Sequence, residues 1–211
     1  MSYFLAIILA LFIGPLLNYS ISRLEGKREY KPGLVEILTI LTFLFVFTHY
    51  SVFEEIVEVV FFLIISSFLI IIFVYDLKHF IIPNKVIYPA MIIAGLYLLL
   101  SPLNVAINHL LSASIALLFF ISIYYATKEK GMGFGDVRFS FFMGLLLGFP
   151  GIIIGLFFSF FLGAIIGTGL MMIGKKGRKS ALPFAPFLIT GTFIAWFYGE
   201  SILHFYLTFY V

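Results

Sequence analysis

The sequence contains no cysteine, and only 11% of its 211 residues carry a charge. The first absence excludes a disulfide framework, a cysteine-type zinc site and a thiol nucleophile. The second excludes a soluble globular domain, because a chain that is 63% hydrophobic lacks the polar surface to cover itself. Familiar catalytic patterns are missing as well. The four histidines (His49, His79, His109, His204) are scattered without an H-E-x-x-H, so no metal site is expected, and no G-x-S-x-G occurs. Aspartate is scarcest among the acids: Asp76 and Asp136 are the only two.

What the chain has instead is long apolar runs, at approximately 3–21, 34–48, 57–75, 84–100, 106–126, 137–147, 151–173 and 184–208. The expected fold is therefore all-α. It is a polytopic integral membrane protein with about eight transmembrane helices, forming one membrane-embedded domain over 1–211 with no separate soluble domain.

The basic residues orient these spans. The first connection (22–33) holds Arg23, Lys27, Arg28 and Lys31, and the third (76–83), with its flank, holds Lys78 and Lys85. The fifth (127–136), with its flank, holds Lys128, Lys130 and Arg138, and the seventh (174–183) holds Lys175, Lys176, Arg178 and Lys179. These are all 13 Lys and Arg, and the even connections have none, so the odd connections are expected in the cytoplasm and both termini outside. The first span has its basic residues after it, the reverse of a secretory signal peptide, and reads as a retained span. Residues 137–147 reach only about half the hydrocarbon thickness. Treating them as re-entrant, or merging them with the next run through Gly148 and Pro150, would strand the basic cluster at 175–179 on the wrong side. A short, protein-surrounded crossing is the expectation.

On this topology Asp76, in "FVYDLKHFIIPN", lies where the third span meets the cytoplasm, and Asp136, in "GMGFGDVRF", where the sixth leaves it. Helix capping alone would account for Asp136. Asp76 is harder to dismiss, since it ends an apolar run near a helix C-terminus, whose dipole disfavours an anion, and an acid at the membrane boundary is a functional candidate. Together the two suit an aspartic-protease arrangement, in which one carboxyl holds a proton while the other acts as base on a water. A peptide presents its carbonyl for attack in extended form, and Gly131, Gly133 and Gly135 offer no side chains to block it and permit unusual backbone angles. A flexible loop end is the alternative reading of these glycines.

The chain resembles the type IV prepilin peptidases, within the wider G-x-G-D membrane aspartic proteases. The resemblance lies in Asp76 followed by "IIPN" (Ile81 to Asn84), then "GMGFGDVRFSFFMGLLLG" (Gly131 to Gly148) and "GKKGRKSALPFAPFLITG" (Gly174 to Gly191). "GPLLNYSISRLE" (Gly14 to Glu25) adds a weaker match. The resemblance implies an endopeptidase of the inner (cytoplasmic) membrane, its active site facing the cytoplasm. Such an enzyme cuts the basic leader from prepilins or pseudopilins with Asp76 and Asp136 as catalytic pair and no cofactor. Bacterial members commonly also N-methylate the product, using S-adenosylmethionine, and carry an enlarged first cytoplasmic loop with paired cysteines. Here that loop is only 22–33 and has no cysteine, so methyltransferase activity is not expected.

Gly133, Gly135, Pro83, Asn84 and Pro183 are the candidate substrate-positioning residues. Capping by Asn84 and helix entry by Pro183 and Pro186 are the alternatives. Gly151, Gly155, Ser159, Gly163 and Gly167, spaced by four, form a small-residue stripe for close helix packing. Lys175 to Lys179 reads as an anchor against anionic lipid. Glu25, Glu29 and Glu129 read as solvated charges that could meet a basic leader. The expected partners are the precursor substrate and membrane lipid, with no nucleic acid. Two other functions fit less well. One is a signal-peptide-peptidase or presenilin-like protease cutting within the membrane, and the other a proton- or cation-coupled transporter, which would place its acids at mid-membrane.

Overall fold

The computed structural model describes residues 2–26, 33–50, 55–128, 131–173 and 182–210. Among them every regular element is helical: α1 (Ser2–Leu24), α2 (Leu34–His49), α3 (Ile56–His79), α4 (Asn84–Leu98), α5 (Leu103–Ala126), α6 (Phe134–Met172) and α7 (Ala185–Tyr210). A helix satisfies its own backbone polar groups, which an apolar surrounding requires. Four of them, α1, α3, α5 and α6, are long and apolar enough to cross a membrane. The α2 and α4 helices are apolar but shorter, at 16 and 15 residues. The α7 helix has the length but carries Glu200, Ser201, His204 and Thr208 in its second half. The basic run at 175–179 and residues Lys27, Arg28, Glu29, Lys31, Glu129 and Lys130 lie outside the described residues.

The chain divides into two compact units, Met1–Lys78 and His79–Val211. In the first, α1 packs on α2. The buried Asn18 amide of α1 donates to Glu36 Oε1 of α2 at 2.7 Å, and the Gly33 N–H donates to Glu36 Oε2 at 2.7 Å. One carboxylate thereby caps the start of α2 and ties it to α1. The α3 helix is buried along most of its length, from Val59 to Asp76.

In the second unit α6 is the hub, in contact with α4, α5 and α7. It is not one rod. Gly148 (φ 59°, ψ −176°) and Phe149 (φ −92°, ψ 136°) break it into arms 134–147 and 150–172. A Cβ on Gly155 would strike the side chains of Met143 and Leu147. Gly155 and Met143 would stand about 18 Å apart in a straight helix at 1.5 Å per residue, so the second arm doubles back on the first. The runs 137–147 and 151–173 are thus separate helical segments, as expected from Gly148 and Pro150.

The break is held by α5, which runs antiparallel to the first arm. Asn108 pairs with the Phe149 peptide on both sides: its Nδ2 donates to the carbonyl at 2.9 Å and its Oδ1 accepts from the N–H at 2.8 Å. His109 Nδ1 donates to the Leu145 carbonyl at 2.8 Å. Its ring occupies the space a Cβ would need at Gly148, whose positive φ also favours glycine. Two side chains on α5 thereby replace the helix hydrogen bonds lost at the break, which in an apolar surrounding would cost several kcal/mol each.

The small-residue stripe packs on α7, antiparallel to the second arm. Gly155 meets Ala195, Ser159 meets Gly191, Gly163 meets Phe184 and Phe187, and Gly167 meets Leu182. At Gly191 the backbones approach so closely that a Cβ would collide with Ser159 Oγ and the Gly155 carbonyl. The stripe therefore seats the last helix within the chain.

Candidate active site

Asp76 stands in the last turn of α3, which runs on to His79, and is 4% exposed. The turn continues into Lys78, whose Nζ contacts Glu25 Oε1 at 3.2 Å. Glu25 is not the solvated charge expected from the sequence. Its side chain is only 6% exposed, while Lys78 is 52% exposed. The pair lies within the first unit and joins the end of α1 to the turn that carries Asp76.

Asp136 stands in the first turn of α6 and is 8% exposed. It is not the N-cap residue. That place belongs to Gly133, and Asp136, three residues on, accepts the Gly133 N–H at Oδ2 over 3.2 Å. Glycine has no side chain to reciprocate, so only the acid half of a capping box exists here, and it uses one of the two carboxylate oxygens.

For the glycines before it, the sequence led to an expectation of unblocked backbone with unusual angles. Gly133 is extended (φ −76°, ψ 148°), a conformation any residue adopts, and none of Gly131, Gly133 and Gly135 has a positive φ. What Gly135 supplies is a close approach. A Cβ there would lie 3.1 Å from Ile82 Cβ, so the "IIPN" segment packs directly on the Asp136 turn. Gly131 is likewise tight, its N–H bonded to Thr127 Oγ1 at 3.1 Å. Only Gly133 retains ordinary clearance, with nothing nearer than 3.6 Å.

Pro83 occupies the N-cap position of α4. Asn84 is the first helical residue and does not cap: its Oδ1 accepts from Arg138 Nη1. Arg138 also donates from Nε to the Phe134 carbonyl at 3.3 Å, and its guanidinium lies 5.3 Å from the Phe134 ring centre and 5.9 Å from that of Tyr88. The second unit therefore brings Gly133, Gly135, Asp136, Ile82, Pro83 and Asn84 into one cluster. Pro183 belongs elsewhere, two residues before α7, in a segment whose Leu182 and Phe184 pack on the second arm of α6.

Three roles were not read from the sequence. Arg138 counted only as a loop charge and His109 only as one of four scattered histidines, and Asn108 was not singled out. The spacing of Arg138 four residues after Phe134 was the one available signal, since it places the guanidinium beside that residue on a helix. Among the described residues no group of three or more His, Cys, Asp or Glu could hold a metal.

A buried aspartate in a helix-end turn of each unit, in an all-helical chain with several membrane-crossing helices, defines a multi-pass membrane protein with two candidate acid–base groups. The chain belongs to the Type IV leader peptidase family, whose model matches residues 63–168, half of the sequence and the half that holds both aspartates. It is 30% identical over 141 residues to a prepilin leader peptidase/N-methyltransferase of Bacillus subtilis, covering 67% of this chain and 56% of that protein. The protein of the same name from Legionella pneumophila is 32% identical over 177 residues, covering 82% and 61%. That from Aeromonas hydrophila is 28% identical over 137 residues, covering 63% and 47%. The chain thus spans about half to three-fifths of the length of these curated relatives. No solved structure gives a significant match.

Proposed function

We propose that the chain is a membrane aspartic endopeptidase that removes the basic leader from type IV prepilin or pseudopilin precursors, with Asp76 and Asp136 as the catalytic pair. The observation that carries this reading is the placement of the only two aspartates. Both are buried, each lies within three residues of a helix end, and both fall inside the family match.

The chemistry follows from two carboxyls, one protonated. The carboxylate takes a proton from water as its oxygen bonds to the scissile carbonyl carbon, and the carboxylic acid donates its proton to the carbonyl oxygen. Collapse of the tetrahedral diol breaks the C–N bond: the leaving amine takes a proton from the newly protonated carboxyl, and one hydroxyl of the diol returns its proton to the other carboxylate, which restores the starting pair. No metal or organic cofactor enters these steps. Gly133, with its exposed and extended backbone, is the candidate contact for a substrate strand, with Gly135, Pro83 and Asn84 in supporting places. The second activity in the relatives' names is not part of the proposal, because the first connection is only 22–33 and lacks cysteine.

The topology proposed is eight crossings of the inner membrane, with the termini outside and both aspartates at the cytoplasmic face. Three ties support it. Glu25 with Lys78 joins the first and third connections, Asn84 with Arg138 joins the flanks of the third and fifth, and Asn108 with Phe149 joins the flank of the fourth to the sixth. Odd pairs with odd and even with even.

The test is co-expression with a prepilin, following leader removal on a gel for the wild type and for Asp76→Asn and Asp136→Asn. Loss of processing in both correctly inserted variants is expected. Processing at the wild-type rate by either would end the dyad assignment.

A further inference from the structure

We propose that Arg138 is a positioning residue for Asp136, acting as a clamp between the start of α4 and the first turn of α6. The inference rests on the peptidase reading above. Arg138 stands two residues beyond Asp136, so on a helix the two side chains leave on different faces and do not compete for space. Its guanidinium donates to Asn84 Oδ1 across the helix pair and, through Nε, to the Phe134 carbonyl in the turn that presents the acid. The Tyr88 and Phe134 rings flank it at 5.9 and 5.3 Å, one from each helix. On the neighbouring face, Gly135 admits Ile82 to within van der Waals contact of the backbone. The first turn of α6 is thus gripped on two sides by the segment that follows α3, while the Asp136 carboxylate is oriented by the Gly133 N–H.

A planar, multiply donating cation suits this place. It satisfies an amide oxygen and a carbonyl while lying between two aromatic faces, which the single ammonium of lysine does less well. The competing account is that Arg138 merely holds its helix end among lipid headgroups. Asn84 separates the two, because its removal leaves every charge in place.

The experiment uses purified full-length protein in lipid nanodiscs and measures kcat and KM on a prepilin, thermal midpoint, and amide hydrogen exchange over 131–140. Arg138→Gln and Asn84→Ala are each expected to lower kcat by about tenfold or more, the scale on which misplacement of a catalytic group acts. KM should be nearly unchanged and exchange over 131–140 faster. The double variant should lose little beyond either single one, as for two halves of one contact. Arg138→Lys should fall between the wild type and Arg138→Gln. A wild-type kcat in Asn84→Ala, or a loss that tracks the thermal midpoint with unchanged exchange, would overturn the proposal. Wild-type protein that cleaves no prepilin would refute the peptidase reading instead, and the exchange of the Arg138 and Asn84 variants would still decide whether the clamp exists.

Discussion

The two aspartate turns are built in opposite ways. Asp76 lies in the last turn of a helix, is buried along the same face as a long apolar run, and has the Lys78–Glu25 ion pair two residues on. Asp136 begins a helix, and its turn is shaped by backbone proximity: Gly133 donating to the carboxylate, Gly135 against Ile82, and Arg138 reaching Asn84. One acid is placed by where an apolar run stops, the other by contacts that tolerate little added volume. Substitutions around Asp136 should therefore be felt more sharply than those around Asp76, although the acids themselves should matter equally.

Asparagine at either acid tests that equality first. Asp76→Asn and Asp136→Asn keep the shape and remove the acid–base function, so each should lower kcat by roughly 10²–10⁴-fold, the usual contribution of such a group. A much smaller loss at one position would break the symmetry of the pair. Gly135→Ala comes next. A Cβ 3.1 Å from Ile82 makes the "IIPN" segment or the α6 turn give way by a few tenths of an ångström, and should lower kcat by about tenfold, less than the roughly 10²-fold of a 1 Å misplacement. Restoring room with Ile82→Ala in the same chain should recover part of it, measurable in the same processing assay.

Asn108→Leu leaves both aspartate turns untouched and strips the Phe149 peptide of its two partners. It should lower stability by about 1–3 kcal/mol, read as a lower thermal midpoint, with kcat of the folded fraction unchanged. The smallest effect is expected at the Asp76 turn. With Lys78 half exposed, Lys78→Met should change stability by at most about 1 kcal/mol, and added salt should reduce the difference from the wild type. A large loss of activity in Lys78→Met would show that the Asp76 turn is as finely seated as its counterpart.

Much of this architecture was legible in the residue order. The apolar runs matched helices within a few residues, and Gly148 with Pro150 marked the place where α6 turns back. The glycine stripe at spacing four announced a close helix contact, and α7 fills it at Gly191. Other features were misread for a common reason. The capping alternative for Asn84 and the solvated-charge reading of Glu25 failed because local sequence cannot name a partner more than fifty residues away, Arg138 in one case and Lys78 in the other. The glycines before Asp136 were read for their backbone freedom, because sequence does not distinguish a glycine needed for that freedom from one needed to admit a neighbour.

The membrane setting, the helical class, the orientation implied by the basic residues and the identity of two scarce acids at span ends are all properties of composition and order along one dimension. They follow from hydropathy and charge without knowledge of any contact. The doubling back of α6 under Asn108 and His109, the seating of α7 on the glycine stripe and the clamp of Arg138 on Asn84 were decided only in three dimensions. Each depends on shape and hydrogen-bond complementarity between segments distant in sequence, which no local pattern encodes.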